Sequence, residues 1–104
     1  VKYIVCQVQR DKEPFINVPF VFPDMLVHAM VFAQMRALLE MQYFSNKHKT
    51  EVVALSGGFF SSTVMSDSDG LCHGESESLG IKSRGKEDDN LLKMADYGSC
   101  MMVD

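Results

Sequence analysis

Residues 25–44, MLVHAMVFAQMRALLEMQYF, run without a glycine or a proline. Good helix formers dominate the stretch, so it is expected to be one long helix. At 100° per residue, Leu26, Met30, Ala33, Ala37, Met41 and Phe44 form one apolar stripe. Phe32, Met35 and Leu39 lie roughly opposite. With His28 and Gln42 they follow the alternating four-three step of a helix–helix seam. Only Arg36 and Glu40 make a charged strip, whereas a surface helix ordinarily carries a charged face. A chain of 104 residues can hardly enclose such a helix on every side. The first stripe is expected to face the protein's own sheet. The second (His28, Phe32, Met35, Leu39 and Gln42) is then expected to form the interface of a homodimer, since two-fold association is the commonest closed solution. The alternative is coverage of that stripe within one chain, by the N-terminal hairpin and the terminal helix.

Pro23-Asp24 precedes the helix, with Asp24 expected as its N-cap and Lys47, His48 and Lys49 near its negative end. Upstream, KYIVCQV (2–8) alternates, with Tyr3, Val5 and Gln7 facing one way and Ile4, Cys6 and Val8 the other. The polar QRDKE and then FINVPFVF (15–22) complete a β-hairpin. Pro19 removes a ladder donor, which places the second strand at an edge or a bulge. TEVVALSGGFFSSTVM (50–65) reads as a central strand buried on both faces, with Gly57-Gly58 marking a bulge or a close backbone approach. SDSDG (66–70) is turn chemistry, and LCHGESESLGI (71–81) is expected to pair back antiparallel. EDDNLLKMADY (87–97), with acids in its first turn, reads as a short terminal helix. The order β-β-α-β-β-α predicts a single α+β domain over residues 1–104, an antiparallel sheet packed by one long and one short helix.

A net charge of −4 gives no support to phosphate-driven nucleic-acid binding, which needs clustered Lys and Arg. No stretch approaches eighteen uninterrupted apolar residues, and no basic-then-apolar leader opens the sequence, so neither a membrane span nor a signal peptide is expected. Cys6, Cys72 and Cys100 are odd in number and far apart. Free thiols in a reducing cytosol fit them better than a disulfide framework.

Several short motifs come near a known chemistry. Gly80, Gly85 and Lys86 have the spacing of a phosphate loop, but Glu87 stands where the Mg²⁺-binding hydroxyl belongs, and Asp88 and Asp89 follow. Three carboxylates at a helix N-terminus would repel a triphosphate, so a strand-to-helix connection is the better reading. DSDG (67–70) resembles the start of a calcium loop, yet position six counted from Asp67 is Cys72 rather than Gly, and position twelve is Ser78. Cys72 and His73 are adjacent metal-ligand types. On a strand they point to opposite faces, and no paired close spacing completes a zinc site. No metal and no cofactor is therefore expected. A Cys–His dyad built from Cys72 or Cys6 with His28 or His48 stays open, beside the ordinary role of a buried small thiol. ESES (75–78) sets Glu75 and Glu77 on one face and Ser76 and Ser78 on the other. It is either a solvated face or, with Lys82, Arg84 and Lys86, a polar recognition surface that Ser61, Ser62 and Thr63 would join.

VFPDMLVHAMV, VVALSGGFFS and CHGESESLGIKSRGKEDDNLL, in that order, resemble a group of small phage and prophage proteins. The pattern is carried by Phe22, Pro23, Leu26, Val27, His28, Ser56, Gly58, Phe59 and Ser61. It continues through Cys72, Gly74, Ser76, Ser78, Leu79, Gly80, Ser83 and Arg84. Gly57 departs from it, standing where the group has Ala, and the long helix is extended here. The resemblance implies a phage or prophage origin and a host cytoplasmic location. It carries no catalytic role, because none is assigned to that group. The expectation is a small interaction protein that binds a host or phage protein, an inhibitor of a host defence system being one form. Its recognition residues are expected among His28, Cys72, His73, Ser76, Ser78, Lys82 and Arg84, with Arg84 as the best anchor. The rival is an enzyme or small-ligand binder whose pocket gathers the same groups around residues 72–84.

Overall fold

The computed structural model describes residues 1–60 and 72–94. The N-terminal hairpin pairs β1 (Lys2–Arg10) with β2 (Glu13–Phe22). Its turn, Asp11-Lys12, has both residues at positive φ, 53° and 70°. Such a two-residue turn matches the strand twist but ordinarily recruits Gly or Asn. Here contacts across the chain hold it. Asp11 accepts from the Lys49 backbone N–H and contacts His48 Nδ1 at 2.6 Å, and its own N–H donates to Lys49 O. That contact to His48, with the Lys49 N–H, draws the Asp11 carboxyl below its ordinary range.

The fold is α+β, as the sequence predicts. One antiparallel sheet has the order β2-β1-β3-β4, in which β3 is Thr50–Phe60 and β4 is Cys72–His73. β2 lies at the sheet edge, where Pro19 is tolerated. The most enclosed strand is β1 rather than β3: Tyr3, Ile4, Val5, Cys6 and Val8 are all fully buried. The alternation read from the sequence divides them. Ile4, Cys6 and Val8 join a core beneath α1 (His28–Gln42), whereas Tyr3 and Val5 join a second core with Phe60, Cys72 and Leu92. Leu92 belongs to α2 (Lys86–Met94), so a helix covers each face of the sheet.

The segment expected as one strand over 71–81 is broken. Gly74, at φ 79°, ends β4, and Glu75–Ser76 (β5) then pairs with Ile81–Lys82 (β6) in a separate two-stranded ladder. The expected turn at 66–70, Ser61, Ser62, Thr63, Cys100 and the ends of the expected strand and helix (61–65, 95–97) lie outside the described residues.

The long helix differs from expectation in two ways. It starts at His28, with Val27 at the N-cap position and no side chain of its own capping it. Asp24 is therefore not the cap: residues 23–26 form a turn closed by Leu26 N–H donating to Pro23 O. A remote hydroxyl does the work instead, Ser78 Oγ accepting from Ala29 N–H at 3.1 Å. At the other end no basic residue lies in the last turn. The Tyr43 carbonyl accepts from Thr50 Oγ1 at 3.1 Å and from Arg10 Nη2 at 3.4 Å, while His48 and Lys49 belong to the hairpin contact and Lys47 N–H donates to Ser45 Oγ.

The second difference is rotational. His28 and Leu39 are buried, and Val31, Phe32 and Met35 pack on the sheet. The residues expected to form a dimer seam thus face the protein's own core, and only Gln42 of that set is exposed. Met30 and Met41, expected to face the sheet, point outward. Both stripes are apolar enough to be buried, and the fit at Gly57 favours the one bearing His28. A Cβ at Gly57 would lie 3.4 Å from His28 Cδ2 and 3.3 Å from Ile81 Cδ1, so the imidazole and Ile81 fill the space a side chain would take.

Of the two readings made of the glycine pair, the close backbone approach holds, and the bulge lies just before it. The β1–β3 register shifts at Leu55, so that Ser56 pairs with Val5 and Ala54 with Cys6. At Gly58 a Cβ would sit 2.4 Å from the His73 carbonyl oxygen. Gly58→Ala must therefore displace β4 backbone. It is expected to lower unfolding free energy by about 1–3 kcal/mol in urea titration, the usual range for forced overpacking.

Candidate functional site

Four donors from three residues, two of them distant in sequence, converge on one buried carboxylate. Asp88, in the first turn of α2, is fully buried. Its Oδ1 accepts from Ser56 Oγ at 2.9 Å and from Arg84 Nε at 2.8 Å. Its Oδ2 accepts from Arg84 N–H at 2.9 Å and from Tyr3 Oη at 2.5 Å. Tyr3 has one phenolic proton, so Ser83 Oγ, 2.7 Å away, donates to the phenol oxygen. Burial, then the bond to Asp88, pushes the Tyr3 phenol above its ordinary range. Ser56 reaches this cluster because the bulge at Leu55 turns it onto the Tyr3–Val5 face. Gly85, at φ 63°, lets the chain fold back so that the Arg84 backbone and side chain meet the same carboxylate. Beside it, Asp89 Oδ1 accepts from Cys72 N–H at 2.6 Å.

This arrangement changes the reading of Arg84. Its guanidinium is committed to Asp88 and, at 3.3 Å, to Glu87, so it is a structural residue and not a free anchor. The phosphate-loop spacing also separates into two features, since Gly80 belongs to the β5–β6 turn and Gly85 to the joint before α2, with β6 between them. Cys72 is buried toward α2, and burial with the neighbouring Asp89 raises its thiol well above the ordinary range. Burial likewise pushes Cys6 up to about 12. Both thiols are held in the protonated, unreactive form. Among the described residues no three His, Cys, Asp or Glu side chains are placed to hold a metal ion, and no helix is long and apolar enough to cross a membrane.

The other polar region opens to solvent. A groove of about 670 Å³ is lined by Lys2, Val27, His28, Phe59, Gly74, Glu75, Glu77 and Ser78. Two of its lining rings, His28 and Phe59, belong to an aromatic row. The His28 ring meets Phe22 edge-on at 5.2 Å and Phe59 edge-on at 6.3 Å, and Phe59 stacks on His73 at 6.1 Å with 20° between planes. His28 Nε2–H donates to Gly58 O at 3.0 Å. Burial lowers the His28 pKa, although the Gly58 carbonyl opposes the shift. Lys2 Nζ donates to Leu26 O at 2.8 Å, closing one wall, while Glu75 and Glu77 stand exposed on the other.

Of the residues expected to bind, the groove gathers His28 and Ser78, with exposed His73 stacked on its Phe59 wall. Lys82 is exposed on β6 and outside the lining. Ser76 is buried, its Oγ accepting from Leu79 N–H, and Cys72 and Arg84 serve the α2 face, so the expected set does not converge. Lys2, Val27 and Phe59 line the groove without having been singled out for it. Glu75 and Glu77 were legible only as the acidic side of ESES. No protein-family model, curated protein or solved structure matches the chain.

Arg84→Ala removes the Nε donor and its charge from a buried carboxylate while leaving the backbone N–H, and is expected to cost about 1–3 kcal/mol in denaturant unfolding, with Asp88→Ala costing about 3–5 kcal/mol. Equal stability of the parent and Arg84→Ala would remove the structural role.

His28 supplies a pH dependence. Its folded pKa lies below the unfolded value of 6.5, so the unfolded chain takes up the proton first on acidification. Stability is therefore complete above about pH 7 and declines as pH falls through 6.5 toward the lower folded value. Thermal midpoints of the parent should drop between about pH 7.5 and 5.5, and His28→Gln should show a flatter profile in that window.

Proposed function

We propose that this chain is a phage- or prophage-encoded binding protein that works in the host cytoplasm by contact with a host or phage protein, inhibition of a host defence protein being one form. The observation that carries the reading is the division of its polar groups. Those able to do chemistry (Tyr3, Ser56, Asp88, Arg84 and the two buried thiols) are closed into structural contacts or held protonated. What faces solvent is a surface for recognition: the Phe59–His73 stack beside Glu75 and Glu77 on the groove. Aromatic rings framed by charge are a common composition at protein interfaces. The same reading takes the working unit to be a homodimer, because α1 is apolar on two sides and its sheet covers only one.

A small-ligand reading draws on the groove volume, which lies within the range of small-molecule sites. One experiment separates the two. The tagged parent and a Glu75→Lys, Glu77→Lys variant are used for affinity capture from infected host lysate, followed by identification of bound proteins and extracted small molecules. A protein held by the parent and lost from the variant, at thermal midpoints matching those of the parent, is the expected result. Recovery of a small molecule alone would favour the ligand reading. Equal capture by both would move the recognition surface away from the groove.

A further inference from the structure

Neither the core nor the groove uses the outward face of α1. Met30 and Met41 are 64% and 77% exposed, with Ala33 and Ala37 exposed between them. At 100° per residue these four lie in one strip, opposite the buried Leu39. Phe44, just past the helix end, extends the strip at 71% exposed. Arg36 and Glu40 flank it on a single side, and none of the ion pairs among the described residues uses either.

We propose that this strip is the contact surface of a homodimer in which two copies of α1 cross antiparallel at Ala37. The proposal rests on the homodimer of the preceding reading and adds its face, direction and crossing point. Size complementarity supports it. A two-fold axis at Ala37 places each Met41 over the partner's Ala33 and brings Ala37 against the partner's Ala37, so large residues meet small ones and the helices approach closely. A parallel pairing would set methionine against methionine and leave the alanines facing a gap. Charge fits the same crossing. The antiparallel two-fold sets the charged flanks of both copies on one side, in the order the partner's Glu40, Arg36, the partner's Arg36, Glu40. Each guanidinium then has a carboxylate of the other copy beside it, and these two contacts outweigh the one between arginines at the axis. A parallel two-fold would set the two charged flanks on opposite sides, where no such pairing between copies forms. Because the axis is at Ala37 and the groove is at the His28 end, the two grooves lie about 27 Å apart along the helices. They stay open to partners.

The test uses the full chain and measures mass by sedimentation equilibrium across a concentration series. The expected mass is twice the 11.7 kDa of one chain. Arg36→Glu and Glu40→Arg should each raise the dimer dissociation constant about tenfold, because each makes all four flank charges alike, and the double exchange should restore it by returning an opposite charge beside each residue. Met30→Glu with Met41→Glu should give a folded monomer by circular dichroism. In a Cys100→Ser background, Ala37→Cys should cross-link to a covalent dimer under mild oxidation. A parent that stays monomeric at high micromolar concentration would overturn both the homodimer and its interface. A dimer that survives the methionine changes and does not cross-link through Ala37→Cys would overturn the interface alone.

Discussion

A single buried carboxylate organises one whole face of this protein. Asp88 accepts from Tyr3 of β1, Ser56 of β3 and both donors of Arg84, so the central strands and the start of α2 share one acceptor. An apolar cluster of equal volume could match its stability, because desolvating a carboxylate and a guanidinium is costly. What an apolar cluster lacks is direction. Each donor here reaches Asp88 only if its strand is in register, and a one-residue slip of β3 would carry Ser56 to the opposite face. The bulge at Leu55, which interrupts the ladder, is what makes that register and that bond compatible. The interaction therefore selects one arrangement of the sheet as well as stabilising it.

The segment from Cys72 to Asp88 extends this control to the other face. Ser78 caps the start of α1, Ile81 packs against Gly57 beside His28, and Ser83 and Asp88 reach through to Tyr3. A stretch with the composition of a polar surface thus works as a clasp between the two helical layers. Glu75, Glu77, Lys82 and His73 are among its exposed residues. The groove wall is in this way part of the structural frame, which explains why residues that line it and residues that hold the fold alternate along the chain.

Much of the architecture was legible because it is local. The alternation of Tyr3 to Val8, the edge position required by Pro19 and the presence of the long helix α1 all follow from patterns a few residues wide. The close approach at Gly57-Gly58 was legible too, since only glycine admits a backbone that near. The face of α1 was not. Both stripes are apolar, and the choice depends on a glycine in a different element leaving space for the His28 ring. Arg84 was misread for a related reason. Its four-residue spacing to Asp88 is visible in the sequence, but the burial of Asp88 depends on Tyr3 and Ser56, whose nearness no local pattern shows. The groove joins His28 to Ser78, fifty positions further along the chain, so composition pointed to its residues without showing which ones meet.

Fixing α1 at both ends has a consequence for association. Its first turn is tied to Ser78, and its terminal carbonyl to Thr50 and Arg10, while Leu39, Phe32 and Met35 hold its inner face to the sheet. The backbone that carries Met30, Ala33, Ala37 and Met41 is thus ordered before any contact forms. Binding through that strip need order only methionine and arginine rotamers, each a modest entropic cost, and not a helix. Methionine suits such a face, because an unbranched and polarisable chain adapts to a neighbour without a fixed complementary shape. A rigid frame carrying adaptable side chains keeps the cost of association low while leaving the Asp88-centred face untouched, and this separates the residues that specify the fold from those free to meet another molecule.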